Sequence, residues 1–345
     1  MKIIVDAMGG DNAPQAPVLG AIQANKEYGV DILLVGRGEE ILKVLADNGI
    51  ADLPAGVEIA HASEVVEMCD NPATAFREKK DSSLTVGLNL LKSGAGDAFV
   101  SAGSTGALLS GATLVVKRIK GIRRAALAPV VPTGNGGAVL IDCGATAEGT
   151  PEYLLQFAFM GSYYAERVLK RPEPKVGLLN IGAEPSKGTD LQRETHALLT
   201  EADKAGRIHF VGNVEAREAV YGQVDVIVSD GYSGNIFLKT MEGTGGYMAK
   251  QLKAMFTKNI FTKLAAVLVA DGIRSLKKSM DAGEVGGTAL LGISRPVIKA
   301  HGSSDDFAIK NAIRQAQTFA ASGIIDDITE NIDHMKLPSD KVEKI

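Results

Sequence analysis

Five short segments rich in glycine and hydroxyl residues carry most of the side chains that could do chemistry. Most of them follow a short aliphatic run and precede a helical pattern. They read DAMGGDN (6–12), SAGSTGA (101–107), NIGAEPSKGTD (180–190), DGYSGN (230–235) and KAHGSSD (299–305). Small residues at a helix start leave backbone N–H groups free, and free N–H groups bind phosphate or an oxyanion. The segments therefore predict an anion site.

The first two segments offer backbone amides and hydroxyls. Gly9 and Gly10 let the backbone approach a ligand closely, and Asp11 or Asn12 is placed to cap the helix that begins near Pro14. The alternative is an ordinary strand–helix turn. The predicted phosphate-binding residues of the second segment, for which a plain helix cap is the alternative, are Ser104, Thr105 and Gly106.

Two lysines stand near other glycine-rich helix starts. Lys187 precedes Gly188, whereas the lysine of a nucleotide P-loop follows its glycine, so nucleotide binding is not indicated. Lys187 and Lys239 still suit inorganic phosphate or an acidic group, although a solvated lysine is the plainer interpretation. Their predicted companions at the phosphate site are Asn180, Glu184 and Asn235.

Acid–base chemistry has two candidates. His301 lies in a Gly/Ser loop before a helix, which suits proton transfer or ligand binding as well as a structural role, and Ser303 and Ser304 add hydroxyl donors beside it. Asp230, which follows the strand Val224–Val228, is the second predicted catalytic residue. The Gly-Tyr-Ser-Gly after it is one residue short of a nucleophile elbow. Cys143 is predicted to be a small buried residue rather than a nucleophile.

The elements that position these groups alternate between strand and helix. Strands are predicted at seven aliphatic runs: Ile3–Val5, Ile32–Val35, Ala98–Val100, Leu127–Val131, Ala138–Ile141, Val176–Leu179 and Val224–Val228. Helical periodicity covers 15–28, 38–48, 82–93, 105–117, 151–169, 188–204 and 233–250. Continuous apolar strands are typical of parallel sheets covered by helices. The sequence predicts a three-layer α/β/α sandwich with ligands at the carboxyl ends of its strands.

Composition excludes several classes of protein. The 345 residues carry a formal net charge of -4 and no Trp, which argues against a nucleic-acid binder. Two cysteines make no disulfide framework. The apolar run at the N-terminus is too short for the hydrophobic region of a signal peptide. No apolar run approaches the roughly 18 residues of a membrane span. We therefore expect a cytoplasmic protein.

One segment differs from the rest of the chain. From Lys250 to Met280 the pattern is helical, with seven basic residues against one acid, Asp271. Phe256, Ile260 and Leu264 fall on one helical face, with Phe261 beside them. The segment is either a core or dimer helix, or a basic amphipathic surface for a membrane interface.

Taken together, the chain resembles the bacterial phosphate acyltransferase PlsX family. The matching segments are colinear and cover nearly the whole chain: VDAMGGD (5–11), KKDSS (79–83), SAGSTGAL (101–108), DCGA (142–145), NIGAEPSKG (180–188), GNVEAR (212–217), DVIVSDGYSGNIFLKTMEG (225–243), GGTALLG (286–292) and KAHGSSD (299–305). Members more often carry Gly than Arg295, and Ala or Pro around Thr288, which affects only local loop shape.

The resemblance implies formation of acyl phosphate from acyl-[acyl carrier protein] and orthophosphate, for use by a membrane glycerol-3-phosphate acyltransferase. It implies a fold like isocitrate/isopropylmalate dehydrogenases and phosphotransacetylases, and no metal or organic cofactor. It also implies a homodimer with a helical protrusion at about 240–290 that contacts the membrane weakly. We expect one catalytic domain of two interleaved lobes over 1–336, and a polar tail at 337–345.

Two alternative activities remain open at this point. A short-chain phosphotransacylase acting on acyl-coenzyme A is the nearest enzymatic rival, and a dehydrogenase of the same fold class is another, although no Gly-x-Gly-x-x-Gly follows a strand. The carrier docking site also has several candidates. Five basic residues lie within 117–124 without an acid, and 77–80 and 250–280 are the others.

Overall fold

The computed structural model describes residues 1–273 and 286–337. Its larger sheet has seven strands in the order β3-β2-β1-β4-β12-β11-β5. All of them run parallel except β11, which is antiparallel to both neighbours. Their bounds are β1 Lys2–Asp6, β2 Asp31–Gly36, β3 Val57–His61, β4 Ala98–Ser101, β5 Ala126–Ala128, β11 Thr288–Leu291 and β12 Val297–Lys299.

The smaller sheet has five strands in the order β6-β7-β10-β8-β9. Only β6 is antiparallel to its neighbour. The strands are β6 Val130–Val131, β7 Ala138–Ile141, β8 Lys175–Asn180, β9 His209–Glu215 and β10 Val226–Val228. The chain leaves the larger sheet after β5, builds the smaller one, and returns to the larger one for β11 and β12.

Helices pack on both sheets. They are α1 Gln15–Tyr28, α2 Gly38–Asp47, α3 Ala75–Glu78, α4 Ser83–Ser93, α5 Thr105–Gly111, α6 Pro151–Arg167, α7 Asp190–Lys204, α8 Ala216–Ala219, α9 Gly231–Thr257, α10 Ile260–Leu268, α11 Asp306–Ala321 and α12 Ile324–Glu330. The helix of α5 continues as a π-helix over Ala112–Lys117. Within the described residues no helix has the length and apolarity that crossing a bilayer requires.

Close packing of α1 on α11 fixes the two helices that follow β1 and β12. Gly20 makes this approach possible, because a Cβ there would lie 2.6 Å from the Asp306 carbonyl oxygen and 2.7 Å from the Ile309 Cβ. Gln23 Nε2 donates to Asp306 Oδ2 across the same contact. The loops that precede these helices are thereby held at one edge of the larger sheet.

The predicted architecture is confirmed, with some differences in its elements. The run Leu127–Val131 is divided at Pro129 into β5 and β6, which belong to different sheets. Four strands were not expected: β3, β9, β11 and β12. The predicted helical segment from Lys250 to Met280 contains the end of α9 and all of α10, and its last residues lie outside the described ranges. The domain limits and the tail at 337–345 remain predictions.

Candidate active site

Three loops of the larger sheet meet at the carboxyl ends of β1, β4 and β12, which are adjacent parallel strands. The Asp11 N–H donates to the Gly302 carbonyl oxygen at 2.8 Å. Asn12 Nδ2 donates to the carbonyl oxygens of Ser303 and Ser304, each at 3.1 Å. The first loop is therefore fastened to the last one, 291 residues further along the chain.

This arrangement corrects the expected helix cap. The N-cap of α1 is Pro14, without a side-chain cap hydrogen bond. The Asn12 amide is instead committed to the β12 loop, so the expectation that Asp11 or Asn12 caps α1 was wrong.

Tight backbone packing explains the glycines of these loops. A Cβ at Gly9 would lie 2.5 Å from Asp6 Oδ2 and 2.7 Å from the Gly103 nitrogen. Gly10 has a φ of +101°, a conformation that favours glycine. The predicted residues of these loops thus lie together at one sheet edge: Gly9, Gly10, Ser104, Thr105, Gly106, His301, Ser303 and Ser304.

Asp6 is buried beneath the loops. Its Oδ2 accepts a hydrogen bond from Ser101 Oγ at 2.7 Å, and its Oδ1 accepts one from the Met8 N–H at 3.2 Å. Burial raises the pKa of this carboxyl above its usual 3.8, and these donors offset part of the rise. Asp6 therefore joins the β1 and β4 loops from below.

Lys299 is the second buried ionisable group beneath these loops, and 8% of its surface is exposed. Its ammonium donates to the carbonyl oxygens of Ala102, at 3.2 Å, and Ala300. Burial lowers the pKa of Lys299 from 10.5 to about 8, and the negative charges of Asp6 and Asp11 oppose that change. Lys299 therefore joins the β4 and β12 loops.

The His301 ring is exposed and its orientation is fixed by Ser303. The Ser303 N–H donates to His301 Nδ1 at 3.3 Å, and Ser303 Oγ lies 2.9 Å from the same atom. Because a backbone N–H can only donate, Nδ1 acts as an acceptor and the neutral ring carries its proton on Nε2. Nε2–H is then the group available to a ligand.

Ser304 is buried, with 7% exposure. Among the described residues its Oγ has no hydrogen-bond partner. A buried hydroxyl without a partner costs free energy unless a ligand or water meets it. Ser304 is thus a donor prepared for a group that the loops would bind.

The smaller sheet contributes the N-terminus of α9. Asp230 caps this helix, since its Oδ1 accepts from the Ser233 N–H at 2.9 Å. The first turn packs on the loop after β7, where a Cβ at Gly234 would lie 2.0 Å from the Asp142 carbonyl oxygen. Asn235 and Lys239 are exposed on the following turns. Lys239 Nζ pairs with Glu242 Oε2 at 2.7 Å.

Asp142 holds this junction together. The carboxylate is fully buried and accepts from the N–H groups of Leu127 at 2.9 Å, Ala145 at 3.2 Å and Thr146 at 2.8 Å. Leu127 belongs to the larger sheet, so Asp142 links the two sheets directly. Burial raises the pKa of Asp142 from 3.8 to about 6 despite these three donors.

The loop after β8 is the third group of predicted residues. Asn180 Nδ2 donates to the Lys187 carbonyl oxygen at 3.2 Å, and the Lys187 N–H donates to the Glu184 carbonyl oxygen at 3.1 Å. Asn213 of β9 donates to that same carbonyl oxygen at 2.8 Å. The Lys187 side chain is exposed. These hydrogen bonds attach the loop to β9.

The charge of Lys239, on α9, acts on Lys299 of the larger sheet. Each lysine lies close enough for the positive charge of Lys239 to lower the pKa of Lys299. Asn235 lies near Gly144 and Leu127 at the same junction. The first turns of α9 therefore approach the larger sheet at this junction, and the β8 loop is two strands away from β7 in the smaller sheet.

Sequence reasoning located the loops but overlooked two residues beneath them. Asp6 and Lys299 belong to segments quoted above, yet neither was singled out as a site residue. The available signal was a charged residue at the end of an otherwise apolar strand. Cys143 is buried, as expected, and its burial raises its pKa. In the part of the chain that is described, no three His, Cys, Asp or Glu residues are grouped to hold a metal ion.

Comparison with known proteins places the chain in a family. The family model described as "Fatty acid synthesis protein" matches residues 1–327. A phosphate acyltransferase of Alkaliphilus oremlandii is 48% identical over 335 residues, covering 96% of this chain and 97% of that protein.

Solved structures with lower identity share the fold. A phosphotransacetylase from Staphylococcus aureus has a TM-score of 0.62 at 18% identity, covering 92% of this chain and 94% of that one. A protein from Salmonella typhimurium assigned as a 4-hydroxythreonine-4-phosphate dehydrogenase has a TM-score of 0.52 at 12% identity, covering 92% and 98%. Both likenesses concern the fold alone.

Proposed function

From its membership of the fatty acid synthesis protein family, as a phosphate acyltransferase, we propose the reaction of this chain. It transfers an acyl chain from an acyl carrier protein to orthophosphate. A phosphate oxygen attacks the thioester carbonyl carbon, and the carbon–sulfur bond breaks. The products are acyl phosphate and the carrier thiol, which takes up the proton that phosphate gives up. No enzyme nucleophile is needed.

The observation that carries the proposed chemistry is the convergence of the β1, β4 and β12 loops. They present the buried, unpartnered Ser304 hydroxyl, exposed Thr105 and the Nε2–H of His301 at one sheet edge. Such donors suit a phosphate dianion and the oxyanion of a tetrahedral intermediate. His301 is accordingly assigned as a hydrogen-bond donor through Nε2. Lys239 adds a positive charge from α9, which acts on Lys299.

The remaining predicted residues divide into two roles. Asp230 acts through the position of α9, because its carboxylate caps that helix. Lys187, with Asn180 and Glu184, forms a separate loop whose exposed ammonium attracts phosphate or the acyl donor. Lys239→Ala is expected to raise the phosphate KM more than Lys187→Ala does, since the charge of Lys239 acts on Lys299 and Lys187 belongs to the separate β8 loop. Initial rates at varied phosphate measure both.

An acidic carrier as acyl donor is supported by a basic patch. The patch consists of Lys117, Arg118, Lys120, Arg123, Arg124, Arg295 and Lys336. Five of these residues belong to the 117–124 segment, and the fold brings Arg295 and Lys336 to them. The Ser294 N–H donates to the Lys117 carbonyl oxygen at 2.9 Å, which places Arg295 beside the segment. Lys336 lines one cavity with Arg118 and Arg123. The paired acids are Glu152, on Arg123, and Asp333, on Lys336. Complementary charge of this kind speeds association with an acidic helix.

Charge reversal tests the patch. Lys120→Glu with Arg124→Glu should raise the KM for the acyl carrier at least ten-fold and reduce its salt dependence, with the KM for acyl-coenzyme A unchanged. Lys43→Glu with Lys204→Glu makes the same charge change at exposed helix positions elsewhere and should have little effect. If both pairs leave the carrier KM unchanged, the carrier docks on another surface.

We further infer that the protein is a cytoplasmic homodimer that associates weakly with membranes, where a glycerol-3-phosphate acyltransferase would consume its reactive product. The support is the apolar face of α10, which is exposed in the described part of the chain. Phe261 is 78% exposed and Leu268 is 87% exposed, and exposed Lys258 and Lys263 lie beside this face. An apolar face of this kind is covered by a second copy or by lipid.

Vesicle co-sedimentation separates these two coverings. Phe261→Glu with Leu264→Glu should weaken binding to anionic vesicles while light scattering still reports a dimer. Loss of the dimer in this variant would instead assign the face to the subunit interface. Equal sedimentation of wild type and variant would exclude a membrane role for α10.

The proposed reaction is tested by the choice of donor. Thiol release from acyl carrier protein should depend on added phosphate and should exceed release from acyl-coenzyme A of the same chain length. Faster reaction with acyl-coenzyme A would favour the short-chain phosphotransacylase alternative.

A further inference from the structure

Two buried ionisable residues, Asp6 and Lys299, hold the candidate phosphate site together. Asp6 joins the β1 loop to the β4 loop through Met8 and Ser101, and Lys299 joins the β4 loop to the β12 loop through Ala102 and Ala300. Both side chains are more than nine-tenths buried. Between them they fix all three loops that converge at the sheet edge.

Charges in this position are costly for stability alone. A buried ammonium loses its hydration, and the two carbonyl oxygens that accept from Lys299 replace it only in part, since burial still lowers the pKa of Lys299. Lys299 is the last residue of β12 and is itself 8% exposed, between fully buried Ile298 and Ala300. A methionine would fill much of the same volume without an ammonium. The retained charge therefore points to a role in the site.

We propose that Lys299 and Asp6 are positioning residues for the phosphate site, which align the β1, β4 and β12 loops so that their donors face one phosphate dianion. This inference rests on the proposed function. The Lys299 ammonium also places a positive charge among the loops, on the carbonyl oxygens of Ala102 and Ala300, and a positive charge favours a dianion over a neutral ligand. Neither residue is assigned contact with the reacting atoms.

The charges around Lys299 determine when it is ionised. Asp6 and Asp11 of the first loop favour the ammonium, and Lys239 of α9 opposes it. On α11, which packs against β12, Asp305 caps its own helix and Asp306 bonds Gln23. Since the pKa of Lys299 is about 8, its positive charge should be lost over the mildly alkaline range. Removing the Asp6 charge should move that loss to lower pH.

The test combines kinetics with a binding measurement that needs no turnover. For Lys299→Met we expect a phosphate KM at least ten-fold higher, an acyl-donor KM within two-fold of wild type, and loss of the rise in Tm that inorganic phosphate gives to wild type. Lys299→Arg should recover part of the phosphate KM. Asp6→Asn should shift the alkaline limb of kcat/KM for phosphate to lower pH, since its amide can still bond Ser101.

A matched variant controls for lost stability. Tyr164→Phe removes a buried hydrogen bond from Gln315, 2.8 Å long, between α6 and α11, and should lower Tm without changing the phosphate KM. If Lys299→Met does not fold, the Asp6→Asn, Lys299→Met double variant removes both charges together and takes its place. A merely structural role would lower Tm in these variants without a selective change in phosphate KM.

The failure of this inference can be told from failure of the proposed function. If wild type releases carrier thiol on addition of phosphate, but the Lys299 variants keep its phosphate KM and the Asp6→Asn limb does not move, the positioning role is wrong. If wild type itself releases no carrier thiol with phosphate, the proposed function is wrong, and the phosphate-dependent rise in Tm still reports on the loops.

Discussion

Replacing Asp142 by Asn should change stability in a pH-dependent way whose sign follows from burial. The carboxylate is fully buried, and three N–H groups donate to it: those of Leu127 and Ala145 to Oδ1 and that of Thr146 to Oδ2. Burial outweighs these donors and raises its pKa from 3.8 to about 6. An Asn side chain has the same shape but does not titrate, and its NH₂ would face the Thr146 N–H.

The direction of the effect is set by proton binding. Between pH 3.8 and 6 the folded protein holds a proton on Asp142 that the unfolded chain has lost, so wild-type stability falls as pH rises through this window. The full change is about 3 kcal/mol, from 1.36 kcal/mol per pKa unit, of which about 1.4 kcal/mol falls between pH 5 and pH 7.5. The Asn variant lacks this decline. Its deficit in free energy of unfolding should therefore be larger at pH 5 than at pH 7.5 by about that amount.

Urea unfolding of both proteins at the two pH values measures the difference, with m-values compared to confirm that the same surface is exposed. A deficit that is larger at pH 7.5 would refute the reasoning. It would mean that the three N–H donors outweigh burial and hold the pKa of Asp142 below 3.8 in the folded state.

Three further outcomes are expected. Gly234→Ala should destabilise the protein by about 3 kcal/mol and impair turnover, because the new Cβ would lie 2.0 Å from the Asp142 carbonyl oxygen; Gly243→Ala, with open space in the same helix, should stabilise it by about 0.5–1 kcal/mol in urea unfolding. Iodoacetamide should label only exposed Cys69 in the folded protein and both cysteines in urea, and a second adduct by mass spectrometry without urea would contradict the burial of Cys143. Asn12→Asp should raise the phosphate KM, because a carboxylate would face two carbonyl oxygens at a cost of about 2 kcal/mol; initial rates test this, and an unchanged KM would mean that the β1–β12 contact does not shape the site.

The fold was predictable where the sequence pattern is continuous. β1, β2 and β4 are aliphatic runs buried on both faces, and burial of this kind is visible in residue types alone. β3 and β9 were missed because their burial is only partial. β12 was missed because it is three residues long and ends in Lys299, and a lysine lowers the expectation of a buried strand.

The site was predictable only as a set of loops. Glycines, serines and helix starts indicated where an anion would bind, since these are local features. The pairing of Asn12 with the β12 loop, and the burial of Asp6 and Lys299, depend on strands far apart in the chain becoming neighbours. No local pattern reports such neighbours, so the cap assigned to Asn12 was wrong and the two buried charges were overlooked.

Isotope tracing of the transferred oxygen tests whether orthophosphate is the acyl acceptor. The protein is given acyl carrier protein whose thioester carbonyl is ¹³C-labelled, together with fully ¹⁸O-labelled orthophosphate, and the products are followed by ¹³C and ³¹P NMR. We expect acyl phosphate in which the bridging oxygen is ¹⁸O, formed in an amount equal to that of the carrier thiol. Release of the thiol with free acid carrying oxygen from water, and no labelled bridge, would contradict acyl transfer to phosphate.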